Sequence, residues 1–154
     1  MERISIAEYR TLLQQNQRRP NRRAKTGADG TLLEEGEQRI LAEFLDGLGI
    51  PWFHVPNGGA RCAAEGGKLK AQGVKSGVPD NFIVEPPPNG PPGCPGAVIE
   101  LKRKKGGAVS ADQEKWLATL EQQGWRVKVC HGAEEAMDFV AQLGYTKRCI
   151  KTKG

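Results

Sequence analysis

Apolar residues recur at spacings of three and four along four segments of the chain, a pattern typical of amphipathic helices. These segments are residues 6–15, 31–48, 110–123 and 133–143. Thr31 is the predicted N-cap of the second segment, and Gly49 with Pro51 ends it. Ser110 and Gln113 form a capping-box sequence at the start of the third. The pattern therefore predicts three helices in the main part of the chain and a short one near its start.

Short apolar or alternating runs, flanked by glycine and proline, predict four strands. They lie at residues 52–55, 80–85, 97–102 and 125–130. The glycine- and lysine-rich segment 57–78 is predicted to be a long loop, and the proline-rich segment 86–96 suits a hairpin loop. The predicted order is α-β-β-β-α-β-α, an α/β fold with a small mixed β-sheet flanked by helices.

The length of 154 residues suits one hydrophobic core and is too short for two. We expect one domain over residues 31–146, preceded by an N-terminal helix and basic arm at residues 1–30 and followed by a basic tail at residues 147–154. Hydrophobic residues make up 38% of the chain, and no apolar run approaches the length of a membrane span. The first residues lack the apolar core of a secretory signal, so we expect a cytoplasmic protein.

Positive charge is concentrated in three clusters, and the net charge is +5. The clusters comprise Arg18, Arg19, Arg22, Arg23 and Lys25, then Lys102, Arg103, Lys104 and Lys105, and finally Lys147, Arg148, Lys151 and Lys153. Clustered lysine and arginine bind phosphate backbones by releasing condensed counterions. A single cluster is more often a solvated face or tail. The second cluster nevertheless favours nucleic-acid binding, because it directly follows acidic residues that suit a metal ion.

These acidic residues are Asp80 and the glutamate of Glu100-Leu101-Lys102. Successive side chains of a strand point to opposite faces, so Glu100 and Lys102 share one face while Leu101 points away. Two carboxylates beside a lysine suit a hard divalent cation, which activates water and stabilises charge on a phosphoryl group. Ordinary interpretations exist, since Pro-Asp is usually a turn and Glu-x-Lys a solvated strand edge or an ion pair. The functional interpretation predicts a metal-dependent nuclease.

Two further polar residues lie on apolar helix faces. Glu37 is in the middle of the apolar stripe of residues 31–48, where a buried carboxylate needs a partner such as a metal ion, its water or a lysine. The alternative is a frayed first turn that leaves Glu37 exposed. Gln113 either only caps its helix or also reaches the site. Ordinary roles are expected for the solvated acids Glu34, Glu35, Glu43 and Asp46 and for His54 and His131.

The chain resembles a known nuclease family. The resemblance rests on Glu37, Asn57-Gly58, Gly77-Val78-Pro79-Asp80, Val98-Ile99-Glu100-Leu101-Lys102, Gln113, Trp116 and Leu120. Together these motifs look like the VRR-NUC branch of the PD-(D/E)XK nucleases, over residues 31–143. The resemblance is to the stand-alone type from phages and bacteria. It implies a restriction-endonuclease-like core in an enzyme of a bacterium or a phage-infected host.

The resemblance also implies a role for each motif residue. The implied ligands of Mg²⁺ or Mn²⁺ are Asp80, Glu100, the backbone carbonyl of Leu101 and, through water, Glu37. The implied catalytic residues are Lys102, which positions or deprotonates the attacking water, and Asp80, Glu100 and Gln113. The residues predicted to contact DNA are Arg18, Arg19, Arg22, Arg23, Asn57, Lys75, Arg103, Lys104 and Lys105.

Small proteins of this type look like homodimers that act on branched DNA, including four-way junctions. The resemblance therefore implies a structure-selective DNA endonuclease, a homodimer, with a place in DNA repair. Two alternatives stay open. One is a non-catalytic basic DNA-binding module whose carboxylates are structural, and the other is a nuclease that nicks or cuts plain duplex or flap DNA.

Overall fold

The computed structural model describes residues 33–56 and 63–147, together with Thr11. Its elements are the helices α1 (Glu34–Leu48), α2 (Ala63–Ala71), α3 (Ala111–Gln122) and α4 (Ala133–Gln142) and the strands β1 (Trp52–His54), β2 (Asn81–Ile83), β3 (Ala97–Lys102) and β4 (Arg126–His131). The predicted helix at residues 6–15, the basic arm and the basic tail beyond Lys147 lie outside the described residues. Across the described ranges, no helix is long and apolar enough to cross a lipid bilayer.

The strands form one mixed sheet in the order β1-β2-β3-β4. β1 and β2 are antiparallel, as are β2 and β3, whereas β3 and β4 are parallel. The predicted hairpin at residues 86–96 is confirmed, since it joins the antiparallel strands β2 and β3. α3 provides the crossover connection that the parallel pair β3 and β4 requires. The α/β fold with a small mixed sheet and flanking helices is confirmed.

α1 packs its apolar stripe into the core, where Leu41 and Leu45 are fully buried. The helix begins after Leu33, which occupies the N-cap position in place of the predicted Thr31. It ends at Gly49, as predicted, and the φ of Gly49 is 67°, in the left-handed region. Glycine adopts this conformation without the steric cost of a Cβ, so the chain leaves the helix there and turns into β1.

β3 lies inside the sheet, and all six of its residues are buried. Ala97, Ile99 and Leu101 belong to the hydrophobic core, which α1 and α4 cover. The alternate residues face the other side of the sheet, where α3 packs against β4. Full burial of an aliphatic side chain contributes about 1.5–3 kcal/mol. Packing on both sides therefore fixes β3, and with it the backbone of the polar residues near its end.

The prediction of a continuous loop over residues 57–78 is wrong for residues 63–71, which form α2. The sequence of α2 is AAEGGKLKA. Its alanine, leucine and lysine residues are strong helix formers, and they offset two glycines that each cost about 1 kcal/mol relative to alanine. α2 adds one helix to the predicted order, between β1 and β2. Residues 72–80 then lead to β2 without regular structure.

Candidate active site

Asp80, Glu100 and Lys102 lie together on one side of the sheet. The antiparallel register of β2 against β3, continued by one residue, places Asp80 opposite Glu100. Lys102 Nζ donates a hydrogen bond to Glu100 Oε1 at 2.6 Å, while Leu101 is buried in the core on the opposite side. The prediction that Glu100 and Lys102 share a face is confirmed. The two residues form an ion pair, but not at a solvated strand edge, because β3 is covered on both sides.

The two carboxylate oxygens of Glu100 have unequal surroundings, although the residue is fully buried. Oε1 accepts hydrogen bonds from Lys102 Nζ and from Gln113 Nε2. Oε2 is buried and has no hydrogen-bond partner within the described part of the chain. A buried polar atom without a partner costs about 1–3 kcal/mol, and more when it is charged. Such an atom is where a further donor or a cation is expected to bind.

Both carboxyl groups are shifted toward the protonated form. Desolvation raises the pKa of Glu100 from 4.5 to about 7, against the lowering effect of Lys102 and with a further rise from the charge of Asp80. Desolvation also raises the pKa of Asp80, although the hydrogen bond from Leu101 N and the charge of Lys102 lower it. A bound cation favours the ionised form of both groups and therefore opposes this effect of burial.

Hydrogen bonds from β3 and from the residues at the end of β1 fix Asp80. Leu101 N donates to Asp80 Oδ2 at 3.1 Å. The carbonyl oxygen of Asp80 accepts from Val55 N at 2.7 Å and contacts His54 Nδ1 at 2.9 Å. His54 thus has the structural role predicted for it, and its charge also lowers the pKa of Asp80. The carboxylate is oriented by the sheet itself rather than by a loop.

Gln113 performs both of the roles considered for it. Its Oε1 accepts a hydrogen bond from Ser110 N at 2.9 Å, and its backbone N–H donates to Ser110 Oγ at 3.3 Å, which completes the predicted capping box of α3. The amide Nε2 donates to Glu100 Oε1. One side chain therefore closes the first turn of α3 and orients a carboxylate of the site.

Glu37 has a backbone partner in the described part of the chain. The residue is buried, with 3% exposure, so the frayed-turn alternative is wrong. Its Oε2 accepts a hydrogen bond from Ala133 N at 2.8 Å, at the first residue of α4. A carboxylate at a helix N-terminus satisfies a free N–H and interacts favourably with the helix dipole. The structure thus gives Glu37 a structural role at the start of α4, and the water-mediated metal contact stays a prediction.

A second acid of α1, Glu34, lies three residues earlier, and its charge influences the site. Glu34 is exposed, as predicted. Its negative charge nevertheless raises the pKa of both Asp80 and Glu100. Sequence reasoning missed Glu34 because helical spacing shows which residues face the core, but not which end of the sheet the first turn approaches.

Gln38 and Asn81 form a second pair that the sequence did not reveal. Gln38 Nε2 donates to Asn81 Oδ1 at 2.7 Å, and Asn81 Nδ2 donates to Gln38 Oε1 at 2.8 Å. Asn81 is fully buried, and it follows Asp80 directly. The reciprocal amide pair ties α1 to the start of β2. In the sequence, the only sign of this pair was an asparagine at the start of an apolar strand.

The donor set fits a hard cation that takes few protein ligands. No group of three or more histidine, cysteine, aspartate or glutamate side chains within the described residues is placed to hold a metal. Mg²⁺ typically binds one or two carboxylates and keeps waters or substrate phosphates as its other ligands. Asp80 and Glu100 supply two carboxylates, and Oε2 of Glu100 lacks another partner in this part of the chain. A third carboxylate is not needed for such a site.

The predicted DNA-contacting residues fall into two groups. Lys75, Arg103, Lys104 and Lys105 are described and exposed, whereas Arg18, Arg19, Arg22, Arg23 and Asn57 lie outside the described residues. Arg103 Nη2 donates to the carbonyl oxygen of Gly106 at 3.1 Å, and Lys104 Nζ pairs with Glu134 at 3.3 Å. These contacts hold the turn after β3, which carries its positive charge next to Lys102.

Comparisons with known proteins point to one domain family. The family model for the VRR-NUC domain matches residues 54–134, more than half of the chain. The matched segment contains Asp80, Glu100, Lys102 and Gln113, but not Glu34 or Glu37. A solved structure described as a VRR_NUC domain protein shares the fold, with a TM-score of 0.56 and 22% identity over 74% of this chain and 92% of that chain. A search of curated proteins found no match.

Proposed function

Because the chain belongs to the VRR-NUC family of nuclease-type domains, we propose that it is a metal-dependent DNA endonuclease that hydrolyses phosphodiester bonds, with branched DNA such as a four-way junction as its substrate. The observation that carries the proposal is Glu100 Oε2, which is buried opposite Asp80 and lacks a hydrogen-bond partner among the described residues. A carboxylate pair in this state suits a cation better than it suits a purely structural role.

Asp80, Glu100 and the backbone carbonyl of Leu101 are the proposed ligands of Mg²⁺ or Mn²⁺. The ion, when bound, lowers the pKa of coordinated water and stabilises the charge that builds on the phosphate. Burial raises the pKa of Glu100 to about 7, so the carboxylate is ready to ionise near neutral pH once a cation is available. The hydrogen bond from Leu101 N keeps Asp80 in place while it does so.

Lys102 is the proposed catalytic cation. Its ammonium group lies 2.6 Å from Glu100 Oε1 and is almost fully buried, so water screens its charge weakly. A compact charge at this position stabilises negative charge on the phosphate oxygens and orients the attacking water. Gln113 shares Oε1 with Lys102 and is a positioning residue for Glu100. Glu34 is an acid of α1 whose charge raises the pKa of Glu100.

The preference for branched DNA and the homodimer are proposed from the family resemblance. Two copies related by a twofold axis would present two sites to two symmetry-related strands of a junction. The dimer is tested separately from cleavage, by size-exclusion chromatography of the full chain with light scattering. If the chain is a monomer and still cuts junctions, the proposed dimer is wrong and the proposed endonuclease activity stands.

A substrate panel tests the proposed activity. The full chain is incubated with labelled four-way junction, flap and linear duplex, in Mg²⁺, Mn²⁺ or EDTA. We expect cleavage in either metal, none in EDTA, and faster cutting of the junction than of the duplex. Binding without metal-dependent cleavage would instead select the non-catalytic DNA-binding module. Equal cutting of all three substrates would select a nuclease of plain duplex.

A further inference from the structure

A cavity of about 690 Å³ lies between α2, the segment that follows it and α3. Its apolar lining comes from Leu69, Val74 and Trp116. Its charged lining comes from Lys70, Lys75 and Lys115, with a single aspartate, Asp112. The volume is that of a small-molecule pocket, not that of a gap left by imperfect packing. None of the residues implicated in metal binding belongs to this lining.

Hydrogen bonds hold the walls of the cavity in place. Ser76 Oγ donates to Asp112 Oδ2 at 2.6 Å, and the indole Nε1 of Trp116 donates to the carbonyl oxygen of Ser76 at 3.1 Å. Gly77 has a φ of +73°, and a Cβ at this position would lie 2.6 Å from the backbone of Asp112. The close approach of the two walls therefore requires glycine at position 77.

The cavity adjoins the carboxylate site through both of its walls. Gly77 precedes Asp80 by three residues on one side. On the other side, Asp112 precedes Gln113, whose amide Nε2 donates to Glu100. A ligand that occupies the cavity is thus connected to both carboxylates by short, hydrogen-bonded segments.

The charge of the lining favours an anion. The carboxylate of Asp112 is already engaged by Ser76 and lies 4.0 Å from Lys115 Nζ. Lys70 and Lys75 have no ion-pair partner among the side chains that the structure describes, which exclude those of residues 63–66. An aromatic ring and aliphatic side chains beside unpaired lysines match a molecule with a planar apolar part and an anionic part.

We infer that this cavity binds one unpaired nucleotide of the DNA substrate, with its base against Trp116 and its phosphate near Lys70 and Lys75. The inference rests on the proposed function and adds a reason for structure selectivity. A paired base exposes only its edges, whereas an unpaired base offers its face to an aromatic ring. A nucleotide at a branch point is already partly unstacked, so the cost of a few kcal/mol for extruding it from a duplex is reduced.

A fluorescent base tests the inference without cleavage. The full chain is titrated in EDTA with a duplex that carries one unpaired 2-aminopurine, and with the same duplex in which that base is paired. Stacking on an indole quenches this fluorophore. We expect quenching and tighter binding for the unpaired base only. Trp116→Leu should abolish the quenching and weaken binding of that DNA about five- to a hundred-fold, the range for loss of one base–aromatic stack.

Matched variants separate stacking from folding. Trp116→Phe retains a ring while losing the hydrogen bond to Ser76, so it should keep most of the preference for the unpaired base. Lys70→Gln should weaken binding of that DNA, whereas Lys68→Gln should not, because Lys68 is on the same helix but outside the cavity lining. If Trp116→Leu does not fold, the two lysine variants and Trp116→Phe still decide the question.

The outcomes distinguish this inference from the proposed function. DNA binding with equal affinity for the paired and unpaired bases and no quenching would overturn the cavity assignment and leave the nuclease intact. Equal losses in Lys70→Gln and Lys68→Gln would overturn it as well, because they would show a general charge effect. A chain that binds none of these DNAs would overturn both.

Discussion

Two buried carboxylates on neighbouring elements differ in what surrounds them. Glu37, at the contact between α1 and α4, accepts a hydrogen bond from the N-terminus of α4. Glu100, at the contact between β3 and α3, shares one oxygen between two donors, and its other oxygen has no partner among the described residues. Burial is nearly the same, at 3% and 0% exposure. Burial alone therefore does not distinguish the two acids, whereas the unsatisfied oxygen of Glu100 beside a second carboxylate does.

The largest expected difference between the two regions is in the cleavage rate after their carboxylates are neutralised. Asp80→Asn or Glu100→Gln should reduce the cleavage rate about a thousand-fold or more, because a metal site contributes several kcal/mol to the transition state. DNA binding, measured by fluorescence anisotropy, should be retained. Glu37→Gln keeps an acceptor for Ala133 N and should cut at the parent rate, with about 0.3–1 kcal/mol of stability lost from the helix dipole. Comparable rates for Glu100→Gln and Glu37→Gln would remove the distinction.

The pH dependence of stability gives the next largest contrast. The pKa of Glu100 is raised from 4.5 to about 7 in the folded protein, so its contribution to stability is present below 4.5 and is lost as the pH rises to about 7. In EDTA, the melting temperature should therefore fall over this range. Mg²⁺ at a hundred times its Kd should restore about 2.7 kcal/mol at pH 8.

Glu100→Gln and Glu37→Gln serve as controls for this stabilisation by Mg²⁺, which calorimetry measures as a change in melting temperature. Glu100→Gln should abolish the stabilisation by Mg²⁺, while Glu37→Gln should retain it. A Mg²⁺-dependent rise in melting temperature that persists in Glu100→Gln would place the ion elsewhere.

Variants of Gln113 separate its two roles. Gln113→Glu keeps the oxygen that caps α3 but replaces the donor to Glu100 with a second carboxylate, so cleavage should fall about ten- to a hundred-fold and its pH profile should move upward. Ser110→Ala removes the cap and leaves the donor, so it should cost about 1 kcal/mol of stability with little effect on the rate. Parent-like rates and pH profiles for Gln113→Glu would show that the amide only caps the helix.

The smallest expected effect distinguishes two exposed acids of α1. Glu34→Gln should lower the pH at which cleavage reaches half its maximum, since the charge of Glu34 raises the pKa of both carboxyl groups. The rate at neutral pH should change about two- to five-fold, as expected for an exposed charge. Glu35→Gln removes an acid that pairs with Arg39 and should leave the profile unchanged. Identical profiles for both variants would exclude Glu34 from the site.

Local rules predicted the parts of this structure that depend on neighbours in the sequence. Strand alternation placed Glu100 and Lys102 on one face and Leu101 in the core, and the capping box at Ser110 marked the start of α3. The resemblance to the VRR-NUC family is confirmed by the match over residues 54–134. The metal, the junction preference and the homodimer stay predictions.

Features that depend on how helices and strands pack against each other could not be predicted from sequence patterns. The spacing of α1 showed that Glu37 is buried, but the first residue of α4, which binds it, is 96 positions away in the chain. Glycines in α2 suggested a loop, although the remaining residues favour a helix. The cavity beside Trp116 forms between α2 and α3. The hydrophobic periodicity of the sequence does not predict that these two helices lie near each other.

The double hydrogen bonding of Gln113 restricts which side chains can replace it. An acceptor for Ser110 N and a donor for Glu100 must sit on one side chain of fixed length. A glutamate supplies the acceptor alone, a lysine the donor alone, and an asparagine is one methylene shorter. The start of α3 and the orientation of Glu100 therefore depend on the same amide, so a single substitution of this residue disturbs both.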